Sequence, residues 1–316
     1  MAAAGQAEPL RISPAKVELH GAFARTQLLV SRDDDVESAR RVDLTDQAEF
    51  SSSDESVAVV DSRGVVLAVG DGQATLRAAV GEQRAEVAVA VSGVAEPTAP
   101  GFTKHVRPIL NKAGCAGAAC HASQHGKGGF KLSVFGFDPQ ADYDAMVRDR
   151  LQRRVSFVRP SESLLLLKPT MAVSHGGGRR LIRDSVEYQM LLAWLSAGAP
   201  APEPDDAEVL RLIIEPERRI GDLGMRQQLR VVAEYADGSQ QDVTSLTRFD
   251  SLDDGVVAVD GHGRVEAIGR GQAPVMARFE GQAAISTFVV PFGEQAELAD
   301  WRSNNFVDEL AAAKFR

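Results

Sequence analysis

An internal repeat constrains the fold of this chain of 316 residues more than any other feature. Residues 10–92 and 210–291 match at an offset of 199 through their central part, so that Phe50 pairs with Phe249 and Gly64 with Gly263. Within each copy, short runs that alternate apolar and polar residues are separated by turns rich in Gly and Asp, which is the pattern of short β-strands. Several short strands in a unit of this size predict a β-sandwich for each copy.

The second copy departs from the first at one strand position. It has Pro274 where the first copy has Thr75. Because proline has no backbone N–H to give to a neighbouring strand, the sequence predicts an edge strand or a bulge at Pro274.

The two copies are separated by a middle segment, which lies between linkers rich in Pro and Ala at residues 95–100 and 199–204. Apolar side chains recur at helical spacing in Phe102–Ala113 and after Ser185, and Asp142–Leu151 is a weaker helix. The predicted fold class is therefore multidomain, with two all-β sandwiches that flank a small all-α domain. The predicted domains are residues 1–94, 100–200 and 206–292, and residues 293–316 are expected to begin a further, truncated domain.

The charge of the chain limits the classes of partner. The formal net charge is −9, and the acidic residues are spread along the sequence. This argues against a nucleic-acid partner and against binding to an anionic membrane. No apolar run is long enough to span a bilayer, and the N-terminal residues lack the basic flank and apolar core of a signal peptide. We expect a monomer.

The chain contains two cysteines, Cys115 and Cys120, and His121 follows the second directly. Two cysteines that end in Cys-His are typical of c-type cytochromes, where both sulfurs form thioethers with haem and the histidine binds the iron. The usual spacing is two residues, whereas four small residues separate the cysteines here. The motif predicts one covalent haem c with His121 as the proximal ligand. Such a protein would be exported to the periplasm or the cell surface, its signal peptide removed.

Two other interpretations of these residues remain open. Cys115 and Cys120 could form a disulfide in an exported protein. Alternatively, Cys115, Cys120, His121 and His125 could bind zinc, because two thiolates and two imidazoles satisfy a tetrahedral site. Structural zinc sites usually join two separated ligand pairs, whereas these four residues lie within one short stretch.

Both copies of the repeat resemble the group 2 bacterial Ig-like domain. The residues that carry the resemblance are Phe50-Ser51-Ser52-Ser53-Asp54-Glu55-Ser56-Val57-Ala58-Val59-Val60-Asp61, Gly64-Val65-Val66 and Gly72-Gln73-Ala74-Thr75-Leu76 in the first copy, and Val256-Val257-Ala258-Val259-Asp260 in the second. The resemblance implies a spacer or adhesion module and implies no chemistry.

The middle segment resembles the planctomycete cytochrome c domain of large exported proteins. The matching stretches are residues 102–110, 115–121, 128–139, 163–169, 175–178 and 194–200. The order of an Ig-like domain, a cytochrome domain and a second Ig-like domain is also similar to that family. The resemblance implies a small all-α domain like that of class I c-type cytochromes.

The sixth iron ligand is predicted to be His175, with Met171 as the alternative. In ordinary class I cytochromes a methionine reaches the iron from a loop before the last helix, and His175 occupies that place. Two imidazoles would give six-coordinate iron of low potential. The expected function is one-electron transfer to an unknown redox partner, such as a downstream domain, and the chain itself is not expected to be an enzyme. The alternatives are a haem-based redox or gas sensor with a displaceable distal ligand, or a non-redox adhesion or spacer module with a zinc or disulfide staple.

Overall fold

A computed structural model describes residues 9–32, 38–95, 98–203, 206–293 and 301–315. In the first repeat, apolar side chains alternate with polar ones along each strand, which buries one face and exposes the other. Its strands are β1 (Leu10–Ser13), β2 (Val17–His20), β3 (Arg25–Gln27), β4 (Leu29–Arg32), β5 (Glu49–Ser52), β6 (Ala58–Val60), β7 (Val65–Ala68), β8 (Gly72–Val80) and β9 (Gln83–Ser92).

The second repeat has a similar order of strands. They are β10 (Val209–Glu215), β11 (Arg218–Ile220), β12 (Arg226–Gln228), β13 (Arg230–Tyr235), β14 (Gln240–Asp242), β15 (Arg248–Ser251), β16 (Val257–Val259), β17 (Arg264–Ala267), β18 (Gly271–Phe279) and β19 (Gln282–Val290).

Equivalent strands occupy equivalent places in the two sandwiches. The first contains a sheet of order β2-β9-β8-β5 and a sheet of order β3-β7-β6, and the second contains β11-β19-β18-β15 and β12-β17-β16. The contacts of β2 with β9 and of β11 with β19 are parallel, whereas the other pairs are antiparallel. Strand β1 pairs with β4, and β13 pairs with both β10 and β14. Each copy is thus a sandwich, as the repeat predicts.

The middle segment is helical in short pieces. Its α-helices are α1 (Arg107–Lys112), α2 (Pro139–Tyr143), α3 (Leu164–Leu167) and α4 (Val186–Ser196). A π-helical turn, Phe102–Val106, runs into α1, and another, Asp144–Arg148, follows α2. Ser185 caps α4 by accepting a hydrogen bond from Tyr188 N, which confirms the predicted start of this helix.

The prediction of a small all-α cytochrome c-like domain is wrong. Within described residues 101–199, α4 is the only uninterrupted α-helix of more than six residues, and helices this short cannot bury an apolar face unaided. The middle segment instead shares one hydrophobic core with the second sandwich, where Phe102 and Trp194 are continuous with Leu229 and Phe279. The chain is mostly β-sheet, with a helical segment packed against one sandwich.

The prediction of an edge strand or bulge at Pro274 is also wrong. Strand β18 lies between β19 and β15, and Pro274 pairs in regular register with Thr287. The pairing of β18 with β15 ends at Val275 with Ser251, so the missing N–H of Pro274 lies just beyond that ladder.

The described residues end with α5 (Phe306–Phe315). None of the helices in the described part of the chain is both long and apolar enough to cross a membrane.

Candidate functional site

The Cys-His motif lies in a closed loop that follows α1. Cys115 N donates to Leu110 O at 2.9 Å, and His121 N donates to Cys115 O at 3.1 Å, so the chain turns back on itself between the cysteines. Leu132 N then donates to His121 O at 2.8 Å, which ties the loop to the following segment. Small side chains between the cysteines permit this turn, because they crowd the backbone little.

No disulfide joins Cys115 and Cys120 in this structure, and both residues are partly buried. Cys115 packs against the core that the middle segment shares with the second sandwich. Burial, together with the neighbouring Cys120, raises the pKa of the Cys115 thiol to about 11. This thiol is therefore protonated at neutral pH, and a protonated thiol is a poor nucleophile and metal ligand.

The structure brings His121 and His175 together. Their ring centroids lie 6.3 Å apart, and the ring planes are inclined by 13°. Nδ1 of His121 lies 3.1 Å from Phe130 O, and Nδ1 of His175 lies 2.9 Å from Gly178 O. An Nδ1–H that donates to a carbonyl leaves Nε2 as an acceptor, and burial lowers the pKa of His121, which keeps its ring neutral.

The other two proposed ligands lie at the surface. The side chain of Met171 is 43% exposed, and its φ is 62°. His125 is exposed as well. Among the residues that the structure describes, no group of three or more His, Cys, Asp or Glu side chains could hold a metal ion. A structural zinc ion needs four such ligands, so zinc at Cys115, Cys120, His121 and His125 does not fit the structure.

A second polar cluster, missed in the sequence, joins the two sandwiches. Asp43 Oδ2 accepts a hydrogen bond from Gln228 N, and Asp242 Oδ2 accepts one from Gln27 N at 2.9 Å. Asp43 and Asp242 are equivalent in the repeat, and Gln27 and Gln228 end the equivalent strands β3 and β12. Each copy therefore supplies a carboxylate to a strand N–H of the other. We call these four residues the reciprocal clamp.

Each aspartate of the reciprocal clamp is oriented by its own turn. Asp43 Oδ1 accepts from Thr45 N at 3.0 Å, and Asp242 Oδ1 accepts from Thr244 N at 3.0 Å. The other oxygen is thereby directed at the opposite sandwich. Burial raises the pKa of Asp43, although the bonds from Thr45 and Gln228 act in the opposite direction. The repeated pattern Asp-x-Thr marks both aspartates and their turns in the sequence, but it does not show that they bond the opposite copy.

The middle segment contacts the second sandwich through polar side chains of α1. Arg107 forms an ion pair with the buried carboxylate of Glu280, and Asn111 Nδ2 donates to Glu280 Oε1 at 3.1 Å. Lys112 Nζ donates to the backbone oxygens of Thr247 and Gly261. These bonds fix α1 against the sandwich in one orientation.

The middle segment also contacts the first sandwich. Arg25 Nη1 lies 2.6 Å from Glu187 Oε1, and both side chains are largely buried. Glu187 lies in the first turn of α4, where the helix dipole favours a negative charge. The middle segment therefore makes polar contacts with both sandwiches.

Comparison with known proteins identifies the first repeat. The family described as bacterial Ig-like domain (group 2) matches residues 7–91. A segment of an S-layer-related protein from Niallia circulans is 36% identical over 89 residues, which are 28% of this chain and 5% of that protein. The chain thus spans a small part of the length of this curated relative.

Solved structures give only distant likenesses. Domains 5–6 of the S-layer protein SbsC align over 90% of this chain and 97% of that chain, at 12% identity and a TM-score of 0.33. Human protocadherin-24 EC1-2 aligns over 90% of this chain and 98% of that chain, at 8% identity and a TM-score of 0.20. Likenesses at these TM-scores carry no argument about function.

The prediction of a c-type cytochrome is wrong on these findings. The matching family is an Ig-like one, the middle segment is not a separate all-α domain, and the described residues contain no metal-binding group of three or more ligands. The predictions of one covalent haem c, low-potential iron, one-electron transfer and a haem-based sensor are wrong for the same reasons.

Proposed function

We propose that the chain is a non-redox structural module at the cell surface, in which two Ig-like sandwiches and the middle segment form one rigid spacer. The reciprocal clamp carries this proposal, because it fixes one sandwich relative to the other. The Ig-like match of residues 7–91 and the likeness to a segment of an S-layer-related protein support an exported location.

Rigidity follows from where the contacts lie. Relative motion of the sandwiches would break the hydrogen bonds from Gln228 N to Asp43 and from Gln27 N to Asp242, and a hydrogen bond to a carboxyl group contributes about 0.5–3 kcal/mol. The middle segment adds contacts to both sandwiches. We propose residues 1–94, 100–200, 206–292 and 293–316 as the units of the chain, with the second and third joined by their common core.

Small-angle X-ray scattering tests the rigid spacer. The variant Asp43→Ala, Asp242→Ala removes both carboxylates of the reciprocal clamp, and we expect a larger radius of gyration and a broader distance distribution than in the wild type. The control is Asp54→Ala, Asp253→Ala, which changes equivalent residues on exposed turns. Equal scattering curves for the wild type and the clamp variant would contradict the proposal.

Surface location is tested on intact cells of the native host. We expect an impermeant biotin reagent to label the protein and added protease to digest it without lysis. Labelling only after lysis would overturn the location. A Soret absorption band in the protein purified from the native host would contradict the non-redox function.

We further propose that Cys115 and Cys120 staple their loop through a disulfide, and that His121 and His175 hold the adjacent turns. The closed hydrogen bonding of the loop supports this role, because His121 N donates to Cys115 O at 3.1 Å and Cys120 N donates to Gly117 O at 2.9 Å. The two thiols would be oxidised by exchange with the disulfide of an oxidoreductase, which takes up both thiol hydrogens and two electrons and is itself reduced to a dithiol. Intact mass spectrometry should show no alkylation of the native protein and alkylation of two thiols after reduction. Alkylation of both thiols in the native protein without reduction would exclude the disulfide.

A further inference from the structure

Charge is distributed unevenly along the chain. Residues 101–200 contain 14 Lys and Arg against 7 Asp and Glu, a net charge of +7, whereas the remainder contains 21 against 37, a net charge of −16. A basic segment between acidic sandwiches is electrostatically complementary to the rest of its own chain. The ion pair of Arg107 with Glu280 uses part of this complementarity within the molecule.

One basic stretch takes no part in those internal contacts. Residues 148–159, which we call the arginine loop, contain five arginines and one acidic residue. Arg148 and Arg159 pair with Asp144 and Glu162 on the surface. Among the described residues, none forms an ion pair with the exposed side chains of Arg150 and Arg153. Two guanidinium groups are therefore available to an external carboxylate.

The arginine loop is held in a fixed shape. Arg154 Nη1 donates to Ala145 O at 2.8 Å, Nη2 donates to Gly129 O at 3.1 Å, and the guanidinium lies over the ring of Phe130. The consecutive residues 150–152 have φ values of 54°, 56° and 58°, a left-handed conformation that is unfavourable for residues other than glycine. Such strain is concentrated at functional surfaces.

The arginine loop also exposes apolar side chains, which indicates the class of its partner. Leu151 is 100% exposed and Val158 is 91% exposed. Arginine mixed with large apolar side chains is the composition of protein interfaces, whereas a hydrophilic polyanion would leave the apolar groups uncovered. The composition favours a protein surface that combines carboxylates with apolar groups.

The second sandwich presents such a surface. Its turn at residues 252–255, which we call the acidic tip, exposes Leu252 at 51% beside Asp253 and Asp254. Ile268, 54% exposed, follows strand β17 and donates its N–H to Val256 O next to this turn. Asp253 Oδ1 accepts a hydrogen bond from Gly255 N and so helps to fix the turn, whereas no residue in the described part of the chain forms an ion pair with the exposed side chain of Asp254. The first sandwich has Ser53 in place of Leu252 and Val69, 44% exposed, in place of Ile268, so its equivalent turn presents a smaller apolar surface.

We propose that the arginine loop of one molecule docks on the acidic tip of a second copy of this chain. The proposal deepens the proposed function, on which it rests, by naming the partner of the spacer. Because the two surfaces differ, the contact is heterologous, and a pair joined by one such contact keeps a free acidic tip on one molecule and a free arginine loop on the other. Repetition of the contact builds a ring where the rotation between copies closes and an open chain where it does not.

Sedimentation velocity of the full chain tests the proposal. At low ionic strength we expect the weight-average sedimentation coefficient to rise with protein concentration, and in about 1 M salt, where the Debye length is about 3 Å, we expect the monomer. Arg150→Glu, Arg153→Glu should weaken association at least about tenfold, which corresponds to about 1.4 kcal/mol. The matched control is Arg11→Glu, Arg84→Glu, the same change of charge on exposed strand residues of the first sandwich.

A mixing experiment tests the heterologous geometry. Leu252→Lys, Asp254→Lys removes the acidic tip and keeps the arginine loop, whereas the loop variant keeps the tip. Each variant alone should remain monomeric, and their equimolar mixture should form dimers that do not grow further. Circular dichroism should show both variants folded, because the changed side chains are exposed.

Several outcomes would overturn the docking proposal. They are a monomeric wild type at low ionic strength, equal weakening by the control, and no dimer in the mixture. Binding of polyphosphate by the wild type without self-association would assign the arginine loop to a polyanion instead. None of these outcomes changes the scattering or surface-labelling results, so the spacer function succeeds or fails separately.

Discussion

At the residue scale, Lys112 is placed where a charge is costly. Its ammonium group donates to two backbone oxygens of the second sandwich and lies 5.4 Å from the ring centroid of Phe249. Burial lowers the pKa of Lys112 to about 8, against 10.5 in the unfolded chain. Between these values the unfolded chain holds a proton that the folded protein has released.

Stability should therefore rise with pH through the Lys112 contribution. From about pH 8 to about pH 10.5 the unfolded state binds more protons, so the free energy of unfolding increases with pH, by at most about 1.4 kcal/mol per pH unit for one group. Urea unfolding at several pH values gives the free energy of unfolding at each pH. Between about pH 8 and about pH 10.5 this free energy should rise more steeply with pH in the wild type than in Lys112→Met. Other titrating groups occur in both proteins and cancel in the comparison. Identical slopes would show that Lys112 keeps its proton in the folded protein.

A pair of residues explains why Pro274 lies in a central strand although its sequence position predicts an edge. In the first copy Thr75 N donates to Ser53 Oγ at 2.9 Å. The second copy replaces both partners, with Leu252 in place of the acceptor and Pro274 in place of the donor. A proline is tolerated in this central strand because no acceptor awaits its N–H. The sequence contained both substitutions, but their proximity could be seen only in the fold.

At the scale of elements, one turn of the repeat requires glycine for two separate reasons. Gly64 and Gly263 have φ values of +78° and +82°. A Cβ atom at these positions would lie 3.0 Å from Phe50 Cζ and 2.8 Å from Phe249 Cζ respectively. The glycine and the phenylalanine of each copy are therefore one packing unit, which accounts for their joint recurrence.

Gly263→Ala should destabilise the second sandwich more than its backbone angle alone explains. The left-handed conformation costs about 1–2 kcal/mol for a residue with a Cβ, and the contact with Phe249 adds to this. The control is Gly281→Ala, since Gly281 has a φ of +80° and a Cβ atom there would have no neighbouring atom within 4 Å. Urea denaturation should show that Gly263→Ala lowers the free energy of unfolding more than Gly281→Ala does. Equal losses would remove the packing argument.

Elements with a strong local pattern were predictable from the sequence. The sandwich strands follow from alternation and Gly-Asp turns, and α4 follows from its cap at Ser185. The packing of the middle segment against the second sandwich was not predictable. Phe102 and Trp194 would have the same helical spacing in a separate all-α domain as in the core that they share with the sandwich. Apolar periodicity shows which face is buried but not what covers it.

At the scale of the whole molecule, the first sandwich depends on the middle segment through one buried ion pair. Burial raises the pKa of Glu187, but the charge and hydrogen bond of Arg25 outweigh it, so the pKa is lowered overall. A carboxyl with a lowered pKa adds stability above its unfolded value near 4.5, and this stability is lost as the pH falls through the folded value.

Glu187→Gln should destabilise the protein at neutral pH by about 1–3 kcal/mol, because the largely buried guanidinium of Arg25 loses its carboxylate partner. The difference from the wild type should shrink below about pH 4.5 as Glu187 becomes protonated. Glu86→Gln is the control, because its pair with Arg77 is exposed and such pairs contribute at most about 1 kcal/mol. A difference between Glu187→Gln and the wild type that stays constant with pH would contradict the ion-pair explanation.

The contacts between the blocks were beyond the reach of sequence patterns. Asp-x-Thr recurs in both copies, yet nothing in one copy shows that its aspartate bonds the other. The Cys-His motif shows the opposite case, because a local pattern predicted a cofactor that the surrounding fold does not support. Local spacing fixes turns and strands, whereas a site depends on residues that distant segments bring to it.

The reciprocal clamp imposes an order of assembly on a chain made from its N-terminus. Its two bonds join residues separated by 185 and 215 positions. The first sandwich is complete long before its counterpart has been synthesised, and until then Asp43 and the Gln27 N–H face water. Contacts of such long sequence separation form slowly. Closure of the reciprocal clamp should therefore follow the folding of both sandwiches, as a late step of assembly.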